Sequence, residues 1–362
     1  MNSASELPSA CTVSATVAPQ SDPTPIFEIF RGQYATELLV AAARHFNIFG
    51  RLAAAPLGFD DLRRALNLDA RPAVVLVTAL RAFGLLIKDS EGRFDLSDLA
   101  REHLVPGCAF DVSDYLSPVA KSPGVLAMIE RLQTNRPIGA KKEEPGAAFI
   151  YRAGIESAME KEASARFLTL ALAGRAKNVA PVLAARVSMA GVRLLLDPGG
   201  GTGIYSIAFL QKNPELRAIV LDRPEVLKVA AEMAAAYGVA DRLECRPGDM
   251  FAGALPEGAD AILLSNVLHD WDVPQCRSLI ERSAASLSRG GRLLIHDVFL
   301  NDTLDGPLPV ALYSAALFVL TEGRAYSGAE YREWLKGAGL RATAIIPTLI
   351  HCGVLEGVKD AA

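Results

Sequence analysis

One stretch constrains the fold of this chain more than any other. The apolar residues 194–196 lead into Asp197, and the next six residues, 198–203, read PGGGTG. Glycine can adopt positive φ and lets the backbone approach a ligand closely, because it carries no Cβ. A buried strand, a tight turn and a helix that begins at Ile204 are therefore predicted. The spacing differs from the dinucleotide fingerprint G-x-G-x-x-G, and an acid beside the turn disfavours a pyrophosphate. A cationic nucleoside with an amino-acid tail suits the pattern better.

Composition and charge narrow the class of protein. The chain has 362 residues, of which 51% are hydrophobic and 22% charged, which is typical of a globular protein of about two domains. A net charge of -4 argues against a nucleic-acid partner, for which a basic surface is expected. Neither a membrane-spanning apolar run nor a secretory signal pattern is present in the sequence, so we expect a cytoplasmic protein with no membrane partner. Reduced thiols, rather than disulfides or a zinc site, are predicted for the scattered cysteines Cys11, Cys108, Cys245, Cys276 and Cys352.

The N-terminal third has two parts. Residues 1–25 are rich in Ser, Ala, Pro and Thr without any period, and are predicted to be a disordered tail. Short helical patterns and a hairpin around Gly92 follow in residues 26–107, the arrangement of a winged helix. Its third helix, residues 71–83 with Asp69 as a possible cap, is apolar nearly all round. A helix that reads DNA presents polar side chains, so a buried dimer interface is predicted instead.

The middle segment, residues 108–185, has a helical pattern interrupted by prolines. An exposed loop is expected at residues 139–146, and residues 160–172 form a good amphipathic helix. This segment is predicted to cover the substrate site, and the alternative is a helical linker with no role in the site.

From residue 186 to residue 362 the pattern alternates between strands and helices. Such alternation requires a mostly parallel sheet with helices on both faces, and ligands bind at the carboxyl ends of its strands. The predicted fold class is therefore α/β, with a Rossmann-like, seven-stranded sheet. Strands are predicted at residues 192–196, 217–222, 243–246, 259–265 and 291–297, followed by a closing hairpin of residues 342–346 and 353–356.

Polar residues follow these strands where a ligand would bind. Asp222 ends the second strand, at the place of an acid that binds a ribose. After the third strand comes Asp249, which can hold an exocyclic amine, with Met250 and Phe251, which can enclose an adenine. Ser265 ends the fourth strand. A carboxylate at one strand end is often only a helix cap, but the series on successive strands is more specific.

Together, DPGGGTG at 197–203, the Asp222 strand end, GDMF at 248–251 and NVLHDWD at 266–272 resemble the S-adenosylmethionine-dependent O-methyltransferases. The resemblance is to the plant caffeate and hydroxyindole type and its bacterial small-molecule relatives, and it covers nearly the whole chain. It implies a winged-helix dimerisation domain (26–107) and hence a homodimer, helices over the substrate (108–185) and a Rossmann-like methyltransferase domain (186–362). It also implies S-adenosylmethionine as cofactor and a small aromatic acceptor.

The resemblance assigns roles to the strand-end residues. It implies that the cofactor's amino-acid tail brings an ammonium group to Asp197, and that Gly199 and Gly201 approach the methionine part. The other cofactor residues are Asp222 for the ribose, Asp249, Met250 and Phe251 for the adenine, and Ser265 near the cofactor tail.

His269 is the general base in that family, and an imidazole can remove a phenolic proton near neutral pH. A purely structural histidine is the alternative. Asp270 could orient His269 or cap the helix near Pro274, and we favour the cap. The family flanks its base with two acids. Asp297 matches the first, one methylene shorter, but the register puts Ala325 at the second, and Glu322 could replace it only if the loop shifts.

Three other functions remain open at this stage. The first is a C- or N-methyltransferase, in one version with iron held by His269, Asp270 and either His296 or His351. Because His296 and Asp297 are neighbours on a strand, their side chains point to opposite faces, and Asp297 is expected in the site. We predict no metal. The second is a cofactor-binding protein that does not transfer methyl groups, and the third is a regulator. Possible apolar walls for the acceptor, unless they are ordinary core, are Met159, Tyr313, Leu317, Phe318 and Leu320.

Overall fold

The computed structural model describes residues 14–136 and 162–360. The predicted loop at 139–146, Met159 and Cys11 lie outside the described residues. The described chain forms two compact units. The sheet unit contains residues 14–25, 162–298 and 328–360, and the helical unit contains residues 26–136 and 299–327.

Most of the secondary structure is helical. In chain order the helices are α1 (Thr24–Arg31), α2 (Ala35–Val40), α3 (Ile48–Ala54), α4 (Phe59–Leu66), α5 (Ala70–Ala82), α6 (Asp98–His103), α7 (Ser113–Leu116), α8 (Pro123–Thr134), α9 (Glu162–Arg186), α10 (Ile204–Lys212), α11 (Pro224–Ala236), α12 (Val273–Ser286), α13 (Leu308–Leu320) and α14 (Gly328–Gly337). Short 3-10 helices occur at Gly32–Tyr34, Ser117–Val119 and Leu268–Asp270, and a π-helical turn at Ala41–His45.

The strands are β1 (Leu86–Lys88), β2 (Phe94–Leu96), β3 (Leu194–Pro198), β4 (Arg217–Asp222), β5 (Leu243–Pro247), β6 (Ala259–Ser265), β7 (Leu287–Leu300), β8 (Tyr326–Ser327), β9 (Arg341–Ala342), β10 (Ile346–Pro347) and β11 (Cys352–Val358). The hairpin predicted around Gly92 is present, because β1 and β2 pair antiparallel, with Ile87 opposite Asp95.

The apolar helix α5 is buried by its own chain. Its side chains pack against α13, which belongs to the same helical unit. Arg71 on α5 donates hydrogen bonds to the carbonyl oxygens of Thr321 (2.5 Å) and Gly323 (3.0 Å), beyond the last turn of α13. The prediction that a subunit interface buries this helix is therefore wrong, since α13 already covers it. Asp69 stands at the N-cap of α5, but its side chain makes no capping bond.

Phe318 on α13 is a core residue of the helical unit. It is fully buried, and the guanidinium groups of Arg71 and Arg131 lie 4.7 and 5.4 Å from its ring centroid. Arg131 also donates to the carbonyl oxygen of Phe318 at 2.7 Å. The sequence placed α13 in the C-terminal domain as a possible acceptor wall. Within its unit, α13 instead completes the core of the N-terminal helices.

The N-terminal tail is ordered where it is described. Ala15 is buried in the sheet unit, and its N–H donates to the Oε1 atom of Gln211 at 2.7 Å. A regular helix begins at Thr24. The prediction of disorder as far as residue 25 is therefore wrong for residues 14–25, because a backbone hydrogen bond and burial of Ala15 hold this segment.

The sheet unit has the predicted architecture. Its main strand order is β10-β11-β7-β6-β3-β4-β5, and the short strand β9 pairs with β11. The last two residues of β7, Phe299 and Leu300, pair with β8 within the helical unit. The strands from β3 to β7 run parallel, whereas β11 pairs antiparallel with β7 and carries the predicted hairpin. The sequences of β3, β4 and β6 are mostly apolar because helices cover both faces of a parallel sheet. The α/β, Rossmann-like fold class is confirmed.

Helix α9 is longer than predicted. It runs from Glu162 to Arg186 without ending at residue 172, contains Pro181, and packs against α10 and α11. It belongs to the sheet unit, while α7 and α8 belong to the helical unit, so the segment 108–185 does not form one region. No helix in the described residues is long and apolar enough to span a membrane.

Candidate active site

Asp197 lies inside β3 and is 1% exposed. Its Oδ2 atom accepts a hydrogen bond from the Ser206 hydroxyl at 2.7 Å, whereas its buried Oδ1 atom has no hydrogen-bond partner among the described residues. Burial raises the pKa of Asp197 to about 7; the Ser206 hydrogen bond opposes this shift, and the charge of Asp222 adds to it. A buried carboxyl group with one unpartnered oxygen can bind a cation, since a positive partner relieves the desolvation penalty.

The glycine turn wraps around this carboxylate. A Cβ at Gly200 would lie 2.6 Å from Asp197 Oδ2, so only glycine fits there. Gly199 and Gly201 have φ values of 70° and 59°, in the left-handed region. A Cβ at Gly199 would meet Val267 at 3.2 Å, but one at Gly201 would meet nothing within 4 Å. The turn therefore has open space beside Gly201.

Asp222, at the end of β4, is tied to this turn. Its carboxylate accepts the N–H of Gly201 at 2.9 Å and the N–H of Arg223 at 2.7 Å. Burial raises the pKa of Asp222, and these two backbone hydrogen bonds counteract the shift. The predicted ribose acid and the glycine turn are thus brought together.

The segment after β5 approaches the same turn. The sulfur of Met250 would lie 3.5 Å from a Cβ at Gly199. Asp249 is exposed and accepts the N–H of Phe251 at 2.8 Å, which forms a local turn. The Phe251 ring packs edge-on against Trp271, with centroids 4.6 Å apart. Met250 is thus beside the glycines, and Phe251 has an aromatic partner within the protein.

Ser265 and His296 form a buried pair. The Ser265 hydroxyl lies 2.7 Å from Nδ1 of His296, whose Nε2 lies 3.3 Å from the Thr348 hydroxyl. Burial lowers the pKa of His296 to about 3, so this imidazole is neutral. The Ser265 hydroxyl, which is predicted to lie near the cofactor tail, has a histidine as its hydrogen-bond partner. No hydrogen-bond partner of the Ser265 side chain was predicted from the sequence.

His269 lies in the 3-10 helix Leu268–Asp270 and is 4% exposed. Its Nδ1–H donates to Asp297 Oδ1 at 2.5 Å. On the other side of the ring, Asp270 Oδ1 lies 3.7 Å from Nε2. Burial lowers the pKa of His269, but the charges of Asp297 and Asp270 and the Asp297 hydrogen bond outweigh it, so its pKa is raised. The imidazole has a carboxyl group beside each ring nitrogen.

Asp297 is fully buried on β7 and faces His269, while its neighbour His296 faces Ser265. Burial would raise the pKa of Asp297, but the His269 charge and hydrogen bond and the Val298 N–H hold it below its usual value. The hydroxyl of Tyr331 donates to Asp297 Oδ2 at 3.2 Å. The opposite orientations of His296 and Asp297 follow the alternation of side chains along a strand.

Two predictions concerned the acids near His269: Asp270 as a helix cap, and a second acid at the register of Ala325 or at Glu322. Asp272, not Asp270, caps α12, because its side chain accepts the N–H of Val273 at 2.8 Å. Asp270 is therefore available beside His269, and burial raises its pKa to about 7. Ala325 and Glu322 belong to the helical unit, where the N–H of Ala325 donates to the Ser314 hydroxyl at 3.1 Å.

Several polar residues at this edge of the sheet were missed from the sequence. Tyr331 supports Asp297, and Asn266 bridges Tyr205 and Ser265 through Nδ2, at 3.3 and 3.1 Å. Arg175 reaches the same place from α9. Only Asn266, next to the strand-end serine, had a positional signal. No three His, Cys, Asp or Glu side chains within residues 14–136 and 162–360 are grouped so that they could hold a metal ion.

The chain matches known proteins over most of its length. The model of the O-methyltransferase domain family matches residues 142–341. The chain belongs to this O-methyltransferase family. The methyl donor is accordingly S-adenosylmethionine, and the reaction is methyl transfer to an oxygen atom.

Three relatives of the methyltransferase illustrate the match. The 3-hydroxy-5-methyl-1-naphthoate 3-O-methyltransferase of Streptomyces sahachiroi is 35% identical over 96% of this chain and 98% of its own length. The acetylserotonin O-methyltransferase of Bos taurus is 40% identical over 46% of each chain. The crystal structure of an O-methyltransferase family 2 protein from Planctomyces limnophilus, in complex with apigenin, is 49% identical, covers 97% of this chain and 100% of that one, and has a TM-score of 0.87.

The residues of the methyltransferase fit its cofactor. S-adenosylmethionine carries an ammonium group, a ribose and an adenine. The unpartnered Oδ1 atom of Asp197 can accept from an ammonium, and the space beside Gly201 admits a ligand next to the backbone. Asp222 lies beside the same turn, where a carboxylate can accept hydrogen bonds from ribose hydroxyls.

Proposed function

We propose that the enzyme methylates a hydroxyl group of a small aromatic acceptor, with His269 as the general base. The observation that carries this proposal is the 2.5 Å hydrogen bond from His269 Nδ1 to Asp297. It directs the Nε2 lone pair of the neutral imidazole away from Asp297, where an acceptor hydroxyl can donate its proton. The naphthoate acceptor of the Streptomyces relative and the apigenin in the Planctomyces structure are both hydroxylated aromatics.

Within this proposal the cofactor is held at three points. The Asp197 carboxylate binds the ammonium of its tail, while Gly199 and Gly201 let the backbone approach the methionine part. Asp222 binds the ribose hydroxyls from the end of β4. The two carboxylate oxygens have about four acceptor positions, so Asp222 can accept from ribose hydroxyls in addition to the N–H groups of Gly201 and Arg223.

Four further residues are proposed to lie near the adenine and the tail of the cofactor. Asp249 receives the exocyclic amine of the adenine, and Met250 and Phe251 contact the ring. Met250 beside Gly199 and the Phe251–Trp271 pair support an apolar surface there. Ser265 acts near the tail indirectly, because its hydroxyl bonds His296 and so holds the end of β6.

Proton removal falls to His269. The methyl group is supplied on a sulfonium sulfur and is already activated, so the protein must orient the acceptor and remove its proton. Nε2 of His269 takes the proton, and the buried Asp297 carboxylate stabilises the resulting imidazolium. Tyr331 fixes the second oxygen of Asp297. Asp270, beside Nε2, supplies the second carboxyl group near the base. The family pattern has a second acid for this role, and its register in this sequence falls on Ala325.

Transfer of a labelled methyl group to a panel of phenols, hydroxynaphthoates and flavonoids tests this function. The wild-type enzyme should methylate oxygen, as the mass and NMR spectra of the product will show. His269→Ala should lose activity while its affinity for S-adenosylmethionine stays within about twofold. His103→Ala, at a partly exposed histidine of the helical unit, is the matched control. Full activity of His269→Ala, or methylation at carbon or nitrogen, would overturn the proposal.

A homodimer and a cytoplasmic location belong to the same proposal. Ile26, Ile29 and Phe30 on α1 are 70, 81 and 69% exposed, and their spacing puts them on one face of the helix. An apolar stripe of this kind suits a second copy of the chain. Among the described residues, Cys108, Cys245, Cys276 and Cys352 form no disulfide, which suits a reducing compartment. Cell fractionation would test the location.

A further inference from the structure

Arg175 connects three elements of the sheet unit. From α9, its Nη1 donates to Oδ1 of Asn266 at 2.8 Å, and its Nη2 lies 2.6 Å from the sulfur of Cys352 on β11. Asn266 directly follows β6 and has a φ of 56°, a left-handed conformation that asparagine tolerates better than most residues. The guanidinium therefore fixes the position where the chain leaves β6 and turns toward His269, three residues later.

Asn266 extends this connection to the cofactor side. Its Nδ2 donates to the Tyr205 hydroxyl at 3.3 Å and to the Ser265 hydroxyl at 3.1 Å. Tyr205 is the second residue of α10, the helix that follows the glycine turn. One polar network thus joins the glycine turn's helix to the turn that carries His269.

The carboxylates around His269 favour its protonated form, and the cation of Arg175 acts in the opposite direction. Asp270 lies on the same turn as His269, Asp297 faces it from β7, and Tyr331 on α14 donates to Asp297. The other ionisable groups of the network are His296, which is neutral, Tyr205, whose pKa burial raises to about 12, and Cys352. The positive charge of Arg175 lowers the pKa of His269 and so opposes the two carboxylates.

We propose that Arg175 is a positioning residue for methyl transfer: it holds the turn that carries His269 through Asn266 and places a positive charge near the His269–Asp297 pair. Its partner Cys352 is paired across the sheet with Val298, the residue after Asp297. The inference rests on the proposed role of His269 as the base. A base must be neutral to accept a proton, and two carboxylates alone would favour its protonated form. Arg175 offsets part of the effect of the two carboxylates, while the hydrogen bond from its Nη1 atom keeps Asn266 in place.

Arg175→Met and Arg175→Lys test this role together. Arg175→Met should lower kcat about 10- to 100-fold, because small displacements of a catalytic group are costly. It should also shift the acidic limb of the kcat/KM profile to higher pH by about half a unit or more, because a cation near the imidazole is lost. Arg175→Lys keeps the charge but not the two-armed geometry. The pH profile of Arg175→Lys should stay near that of the wild type. Its kcat should lie between the kcat of the wild type and that of Arg175→Met.

Arg166→Met is the matched control on the same helix. Arg166 forms an exposed ion pair with Glu232 at 2.9 Å, and its loss should leave both kcat and the pH profile unchanged. The inference is overturned if Arg175→Met behaves like Arg166→Met, or if Arg175→Lys shifts the profile as far as Arg175→Met. If Arg175→Met does not fold, Arg175→Gln replaces it with the same expected shift. If the base proposal itself fails, His269→Ala remains active, so the two failures are distinguishable.

Discussion

Oδ1 of Asp297 accepts the Nδ1–H of His269 at 2.5 Å, and both side chains are almost completely buried. A carboxylate in this position fixes the tautomer of the imidazole and stabilises its protonated form. A buried pair of this kind is expensive to desolvate. We infer that its use in proton transfer explains its place at the carboxyl edge of the sheet.

Asp297→Asn should lower kcat by about 100-fold or more, since general-base catalysis contributes about 10²- to 10⁴-fold. The amide cannot stabilise the imidazolium and can impose the wrong tautomer. Steady-state kinetics with a saturating methyl donor measures the effect. Tyr331→Phe is the graded control: it removes a single 3.2 Å hydrogen bond to Asp297 and should cost only about 2- to 10-fold. A variant Asp297→Asn with wild-type kcat would contradict the proposed pair.

The rate should depend on pH through His269. Its pKa in the folded protein is raised above the usual histidine value of about 6.5, because the carboxylates outweigh burial. The imidazole is inactive as a base when protonated, so kcat/KM should fall as the pH drops through this raised value. The acidic limb of the profile should therefore have an apparent pKa above 6.5. A limb well below pH 6, or a flat profile, would exclude His269 as the group that titrates.

Cofactor binding should release a proton from Asp197. Burial raises its pKa to about 7 in the free protein, and an ammonium partner lowers it in the complex. Affinity for S-adenosylmethionine should therefore weaken as the pH falls below about 7. It should weaken again above about 8, where an α-amino group loses its charge. Isothermal titration calorimetry in buffers of different ionisation enthalpy measures the proton directly.

Asp197→Asn should weaken cofactor binding about 10- to 100-fold, because a charge-assisted hydrogen bond contributes about 1.5–3 kcal/mol. The dependence of affinity on pH below 7 should disappear with the carboxyl group. Asp260→Asn is the control, since this carboxylate accepts the N–H groups of Arg193 and Leu194 at the opposite edge of the sheet. Equal affinities of Asp197→Asn and the wild type would remove Asp197 from the site.

The double variant Ile29→Asp, Phe30→Asp should convert the proposed dimer to monomer. These side chains are 81 and 69% exposed on α1, and charges there would be desolvated in an interface between copies. Sedimentation velocity at micromolar concentration measures the change. Val17→Asp, also at a 70% exposed apolar residue but in the sheet unit, should leave the mass unchanged. A wild-type monomer at all concentrations would refute the dimer.

Local patterns in the sequence predicted the architecture of the sheet unit well. Apolar runs bounded by Gly, Pro and Asp predicted β4 and β6 with the bounds found, and the glycine-rich segment predicted the turn before α10. These signals are local, since burial on both faces requires apolar strands and positive φ requires glycine. The family followed from the same residues.

Which unit a segment joins depended on contacts between residues that are far apart in the sequence. Helix α13 has an apolar sequence whichever core it joins, and only packing against α5 assigns it to the helical unit. Residues 14–25 look disordered by composition, but the hydrogen bond from Ala15 to Gln211, 196 residues away, orders part of them. No local pattern contains that information.

For the candidate site too, the sequence determined some features and the tertiary structure determined others. The sequence by itself determined which residues stand at the strand ends, including Asp197, Asp222 and Ser265, and which segment after β6 carries His269. Only the tertiary structure decided what those residues contact. In the folded protein Asp270 lies beside His269 and does not cap α12. Tyr331 donates to Asp297, and Arg175 donates to Asn266. Hydrogen bonds between separate elements depend on how the elements pack, and packing is a property of the whole fold.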